Sequence, residues 1–248
     1  MDDTGATVEI PGAVRRIVSL VPSLTESVAA TVPDALVGAT DWCSHPGDLD
    51  VARVRGTKNP DLDTIRRLRP DVVLANFEEN RPQDIEALRA AGLAVWVTRI
   101  VTLEQAFASL ERMFTRACRV EPPAWLEAAR RAWGEPYAGP RRTAIVPIWR
   151  RPWMVAGRET FTGDVLRHLG VDNLYADHPE RYPKIPLPEL TARRPDLVVL
   201  PDEPYAFSAG DGPESFPDLT CALVSGRLLT WYGPSLVDAP ALLRAALG

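Results

Sequence analysis

Cysteine and histidine are scarce in this chain, with three of each among 248 residues. Cys43, Cys118 and Cys221 lie far apart and form no Cys-x-x-Cys pair, which argues against a zinc ribbon or a dithiol redox motif, and an odd count fits poorly with a disulfide framework. His45, His168 and His178 are not spaced as ligands, and a Cys43/His45 pair lacks a third partner, so neither a bare metal ion nor any other cofactor is expected. Positive charge is also lacking. With a net charge of −5, the chain offers no electropositive field for nucleic acid, and the Arg66, Arg67, Arg69 cluster reads as the solvated face of a helix. No apolar run reaches the ~20 residues of a membrane span, so membrane insertion is not expected. Gly-x-Ser-x-Gly, phosphate-cradling glycine loops and His-Glu-x-x-His are all missing. Glu78 and Glu79 are adjacent, and neighbours in sequence seldom converge on one substrate atom, so no catalytic residue is assigned and a non-enzyme is expected.

What the chain does have is a normal apolar fraction, 46%, and 24 prolines scattered at the edges of apolar runs. It also resembles itself. Val18-Ser19-Leu20-Val21-Pro22 recurs as Thr143-Ala144-Ile145-Val146-Pro147, and Arg69-Pro70-Asp71-Val72-Val73-Leu74 recurs as Arg194-Pro195-Asp196-Leu197-Val198-Val199, both at an offset of 125 residues. Each half reads alike: an apolar strand (16–21 or 142–147), a helix (23–31 or 159–169), an irregular aromatic stretch, a short helix (61–68 or 187–193) and a second strand (71–75 or 196–200). Helix 81–91 and strand 93–98 complete the first half, and 228–232 is expected as the matching last strand of the second. Continuous apolar runs alternating with helices indicate parallel strands buried on both faces. Leu103, Phe107, Leu110, Phe114 and Cys118 mark one face of a helix, and 124–133 reads as a second helix. The expected architecture is α/β: two similar lobes, each with a mostly parallel sheet flanked by helices, 1–100 and 141–248, joined by a helical bridge, 101–140.

The opening Asp3-Thr4-Gly5-Ala6-Thr7-Val8-Glu9-Ile10-Pro11, followed by Arg16-Ile17-Val18-Ser19-Leu20-Val21-Pro22-Ser23-Leu24-Thr25-Glu26, resembles the start of the mature binding proteins of cobalamin, heme and ferric-siderophore ABC importers. Leu62-Asp63 before Arg69-Pro70-Asp71, Gly157-Arg158-Glu159-Thr160 before Leu166-Arg167-His168-Leu169-Gly170-Val171-Asp172-Asn173-Leu174, and Tyr182-Pro183 extend the resemblance over nearly the whole chain, with the cobalamin-binding branch nearest. It implies a rigid pair of α/β lobes holding a large organic or metal-chelate ligand in the cleft between them.

Ligand sites in open α/β sheets form beyond the carboxyl ends of the strands. Loops at those places carry Trp42, His45 and Phe77 in the first half, and Trp149, Trp153, Tyr182, Tyr205, Phe207, Trp231 and Tyr232 in the second. Flat aromatic faces suit a corrin, a porphyrin or an aryl chelate. Trp96, Trp125 and Trp133 fall within elements and are assigned to the core. Arg150 is the candidate partner for a ligand carboxylate or phosphate, since a guanidinium fork matches such groups. The resemblance places ligand-facing aromatics at Trp42 and Tyr182, whereas position 57 is Thr57 where the cobalamin binder carries Trp.

The same resemblance implies an acidic residue on each lobe that pairs with a membrane permease. Asp63 matches in the first lobe; in the second the matching position is Pro188, with Glu189 one step later. A one-residue shift turns a helical side chain by roughly 100 degrees. Met1-Asp2-Asp3 lacks the basic and apolar regions of a signal peptide. The chain is therefore expected outside the cytoplasmic membrane if a leader has been removed, and in the cytoplasm if Met1 is its natural start. A monomer is expected, and the alternative function is a cytoplasmic ligand sensor or an enzyme on the same scaffold.

Overall fold

A computed structural model describes all 248 residues. They form two compact units, Met1–Ile100 with Glu104–Glu127 and Tyr232–Pro234, and Val101–Leu103 with Ala128–Trp231 and Ser235–Gly248.

In the first unit β1 (Ile17–Ser19), α1 (Pro22–Ala29), β2 (Leu36–Ala39), β3 (Ala52–Arg53), α2 (Leu62–Arg67), β4 (Val72–Asn76), α3 (Pro82–Ala90) and β5 (Val95–Thr98) follow one another. The strands lie in the order β3-β2-β1-β4-β5, all parallel. Every residue of β1, β4 and β5 is buried, as strands covered on both faces require. Val18 and Val73 of the sheet, with Leu20 just beyond β1, meet Ile65 of α2 and Ile85 and Leu88 of α3 in one apolar cluster. Asp61 caps α2, its side chain accepting the Thr64 N–H at 2.9 Å.

The helical stretch after β5 comprises α4 (Leu103–Arg112), which widens into a π-helical turn at Met113–Cys118 and stops where Arg119 turns left-handed, and α5 (Ala124–Ala132). Residues 104–127 of this stretch pack with the first unit, and Ala128–Trp231 belongs to the second.

The second unit repeats the pattern with β6 (Arg142–Ile145), α6 (Phe161–His168), β7 (Val171–Asn173), α7 (Leu187–Ala192), β8 (Leu197–Pro201), β9 (Cys221–Val224), α8 (Gly226–Thr230) and α9 (Ala239–Leu247). Its sheet, β7-β6-β8-β9, is again fully parallel and matches β2-β1-β4-β5 strand for strand. Ile145, Val198 and Leu200 pack with Leu190 of α7, Tyr175 and Phe216 in its own apolar cluster. The duplicated Arg-Pro-Asp words mark equivalent places. Arg69 and Arg194 both take the left-handed φ of 46° ahead of their prolines. Asp71 accepts the N–H groups of Arg15 and Arg16 at 2.8 and 2.9 Å, and Asp196 accepts that of Thr143 at 2.7 Å, tying adjacent strands together in both units.

Two expectations need correction. Ile17 pairs with Val72 whereas Ala144 pairs with Leu197, so β4 and β8 keep the offset of 125 but β1 and β6 correspond two residues further along. A slip of two preserves which face each side chain takes, so the apolar pattern alone does not reveal it. The last strand is Cys221–Val224, not 228–232, most of which is the helical turn α8. Two short apolar runs compete for the edge of the sheet, and pairing with Val198–Pro201 selects the earlier one.

Candidate functional site

Because each sheet is parallel, all of its strands end at one edge, and the loops beyond that edge gather residues remote in sequence. The first unit brings together the loops after β2, β4 and β5. Trp42 is 69% exposed and Phe77 50% exposed, unusual for such large apolar rings. Trp42 sits beside the antiparallel pair Arg55–Gly56 and Asn59–Pro60: a Cβ placed on Gly56 would lie 3.2 Å from the indole nitrogen. His45 is exposed, its Nδ1 3.1 Å from Ser44 Oγ, while Cys43 is buried against the hydroxyls of Thr25 and Thr40 at 3.0 and 3.1 Å. Burial pushes the Cys43 thiol up, so the cysteine behaves as core.

The loop carrying Phe77 is held by two buried asparagines. Asn76 Oδ1 accepts the N–H groups of Glu78 and Glu79 at 2.8 and 3.2 Å, and its Nδ2 donates to Thr98 O and Oγ1 at 3.1 and 3.0 Å. Asn80 Oδ1 accepts the Asn76 N–H at 2.9 Å, while Asn80 Nδ2 donates to Leu20 O at 3.3 Å and Thr57 O at 3.0 Å. Three segments at one edge are thus tied by one side chain. Sequence reasoning missed both residues; the signal was a pair of amides, Asn76 and Asn80, closing a buried strand where solvated loop residues would be ordinary. Burial raises the Glu79 carboxyl above the usual range, opposed by the nearby Lys58 charge.

Tyr232 belongs to this unit and is buried. Burial pushes its hydroxyl well above the ordinary tyrosine range, reinforced by Glu79, although Ser23 and Thr98 hydrogen-bond to it. Trp231, in the second unit, is buried to the same degree, 7% exposed. Both rings are thus far less exposed than Trp42, Phe77 or Trp149.

In the second unit the loop after β6 folds back as an antiparallel pair, Pro147–Trp149 with Met154–Val155. Trp149, 44% exposed, meets the Tyr205 ring edge to face at 5.5 Å, and half-buried Trp153 stacks on Phe207 at 6.0 Å. Tyr182 is half-buried on a segment fixed by Gly157 N–H to Arg181 O at 2.7 Å and Val155 N–H to Pro183 O at 3.1 Å. Only glycine fits at 157, where a Cβ would lie 2.3 Å from Glu180 O.

Arg150 departs from its expected role. Its side chain is 10% exposed and forms ion pairs with Asp211 and, at 2.7 Å, with Glu214, while its guanidinium lies 5.2 Å from the Trp153 ring centroid. Two carboxylates already neutralise it, so it has no charge to spare for a ligand anion. The network continues from Asp211 to the Tyr205 hydroxyl, which donates at 2.6 Å. The Gly212 N–H and the Arg150 guanidinium hold the Glu214 carboxyl down at about 2. Arg150 thus fastens the loop that carries Tyr205, which backs Trp149.

Asp63, in the first turn of α2, is 77% exposed along its side chain and lies 3.4 Å from Arg66. Helices α2 and α7 start at the same offset of 125, so Pro188 matches Asp63, and exposed Glu189 matches Thr64. Trp96 and Trp133 are core, while Trp125 is half-buried, donating to Thr31 Oγ1 at 3.1 Å and meeting Phe114 edge to face.

No protein-family model matches the chain. It is 26% identical over 192 residues to the vitamin B12-binding protein of Photorhabdus laumondii, covering 75% of this chain and 70% of that one. It is 23% identical over 199 residues to that of Pectobacterium carotovorum, covering 77% and 72%. Among solved structures, the periplasmic vitamin B12-binding protein of Vibrio cholerae superposes with a TM-score of 0.77 at 20% identity, covering 94% of this chain and 96% of that one. A periplasmic heme-binding protein from Pseudomonas aeruginosa gives 0.76 at 24% identity, covering 94% and 92%. The resemblance read in the sequence holds, and the chain has the two-lobed α/β fold of periplasmic vitamin B12- and heme-binding proteins.

Proposed function

We propose that this chain is a solute-binding protein that holds a large organic or metal-chelate ligand, of the size and flatness of a cobalamin, a heme or a ferric siderophore, and delivers it to an ABC importer. The observation that supports this reading most is the exposure of Trp42, Phe77 and Trp149 at the carboxyl edges of two parallel sheets whose fold is that of vitamin B12- and heme-binding proteins. Binding such a ligand asks for apolar faces at fixed positions and for no acid, base or nucleophile aimed at a reacting atom. Trp42 and Phe77 would supply the faces of the first unit, with His45 at the margin. Trp149, Trp153, Tyr182 and Tyr205 would supply those of the second, with Arg150 fastening the loop that carries Tyr205. Delivery would use Asp63, with Glu189 as the displaced counterpart in the second unit, and would place the protein in the periplasm or at the outer face of the membrane. The protein would act as a monomer and leave its ligand chemically unchanged.

Native mass spectrometry and visible absorption of the purified protein test this reading, after incubation with cyanocobalamin, heme and a panel of ferric siderophores. One of these is expected to be retained with unchanged mass at one ligand per chain. Retention of none, or release of an altered compound, would overturn the proposal.

A further inference from the structure

Phe77 follows β4 and Arg99 follows β5, two adjacent parallel strands, so both leave the first unit's sheet at its carboxyl edge. The Phe77 N–H donates to Thr98 O at 2.9 Å, fastening one loop to the other. The Arg99 guanidinium carbon lies 5.1 Å from the Phe77 ring centroid, and both side chains are exposed. The platform beneath them is rigid: Asn76 and Asn80, 3% and 2% exposed, fix the backbone on either side of Phe77 through the bonds described above.

No carboxylate is paired with the Arg99 guanidinium. Asp3, whose Oδ2 accepts the Arg99 backbone N–H at 2.9 Å, spends its charge on Arg112, 2.5 Å away, and also accepts from Ser109 Oγ. Lys58 donates to Glu78 O at 2.5 Å and sets its charge beside Glu79, whose own burial favours the neutral carboxyl. Arg150 in the second unit, by contrast, is neutralised twice over. A guanidinium offers parallel donors that fit a carboxylate or phosphate, and a ring beside it offers an apolar face in the same place.

We infer that Arg99 and Phe77 form an anion-recognising subsite that takes a carboxylate or phosphate carried on a flat, largely apolar ligand. Arg99 donates to the anion while the ligand plane lies against Phe77. The subsite deepens the ligand-binding reading and rests on it for the larger molecule, but its own chemistry can be probed separately.

The probes are 2-naphthoate and its neutral isostere 2-naphthamide, titrated to millimolar concentration into the full-length protein with the arginine Nε–Hε and phenylalanine ring resonances followed by NMR. Naphthoate is expected to shift the Arg99 Nε–Hε signal saturably, more weakly as salt is added. Arg99→Gln is expected to weaken naphthoate by about tenfold and leave naphthamide unchanged, while Phe77→Ala weakens both. Thermal melting of each variant checks that it is folded; both residues are exposed, so native melting is expected. Equal binding of the two probes, an unshifted Arg99 signal, or indifference of naphthoate to Arg99→Gln would overturn the subsite. Naphthoate discrimination in a protein that retains no cobalamin, heme or siderophore would instead sink the proposed function and leave the subsite standing.

Discussion

Replacing Asn80 by alanine removes the side chain that joins three segments at the first unit's carboxyl edge. The amide accepts from Asn76 N–H and donates to Leu20 O and Thr57 O, and the residue is 2% exposed. Each net hydrogen bond contributes about 1 kcal/mol, and buried partners left unsatisfied cost more than that mean, so Asn80→Ala should destabilise the first unit by about 3 kcal/mol. With two compact units a single global midpoint is a poor measure, so native-state hydrogen exchange read residue by residue is the suitable assay. The Asn76 amide, whose acceptor is lost, should show the largest fall in protection, with smaller falls at Glu78 and Glu79. Amides of β6, β8 and β9 in the second unit should keep theirs. A destabilisation below about 1 kcal/mol with Asn76 protection unchanged would refute the reasoning, because it would mean that water replaces the amide at no cost.

Asp2→Ala should cost the first unit about 3 kcal/mol, read by native-state hydrogen exchange of its strand amides, since its buried carboxylate accepts from Thr4, Ala6 and Val97 N–H groups and from Arg89; a change below a tenth of that would contradict the geometry. Gly157→Ala should destabilise by about 2 kcal/mol through overpacking against Glu180 O and should displace the segment bearing Tyr182, seen as shifted Tyr182 ring resonances. Glu214 titrates at about 2 when folded, below its unfolded value. Its contribution to stability is therefore complete above the unfolded pKa and is lost as pH falls through that value toward about 2, so Glu214→Gln should flatten this acid limb of the stability profile. An unaltered acid limb would show that the contact with Gly212 and Arg150 does not hold in solution.

The fold was legible because parallel strands covered on both faces leave uninterrupted apolar words, and a duplicated chain writes each word twice. Arg69-Pro70-Asp71 and Arg194-Pro195-Asp196 announced equivalent turns, and the structure gives both arginines the same left-handed backbone. The two-residue slip between β1 and β6 was illegible, because a shift by one full period of the pleat changes no side chain's face. The last strand was misplaced because Ala222-Leu223-Val224 and the run around Leu228-Leu229 are equally apolar, and only pairing with β8 separates them.

The exposure of the candidate side chains was legible in part. Proximity to strand ends pointed to Trp42, Phe77 and Trp149, which do stand exposed at carboxyl edges, but it also pointed to Trp231 and Tyr232, which the structure buries. Position along the chain says which edge a residue is near and nothing about whether its ring turns inward. Arg150 illustrates the same limit for charge: its neutralising partners, Asp211 and Glu214, lie more than sixty residues away and meet it only in the fold. Asn76 and Asn80 went unnoticed because an amide in a loop is ordinary until burial makes each of its bonds obligatory.

Calorimetric titration of the ligand that the protein retains, into the wild type and into Trp42→Ala, Trp149→Ala and Trp125→Ala, tests the central claim most directly. Exposed aromatics at the carboxyl edges are held to carry the binding energy, and truncating such an anchor costs about 2 kcal/mol or more, so Trp42→Ala or Trp149→Ala should weaken the ligand by about thirtyfold. Trp125, spent on Thr31 and Phe114, should leave the affinity unchanged. Full affinity in both Trp42→Ala and Trp149→Ala would contradict the account, because a ligand indifferent to both rings is held somewhere other than the carboxyl edges of these sheets.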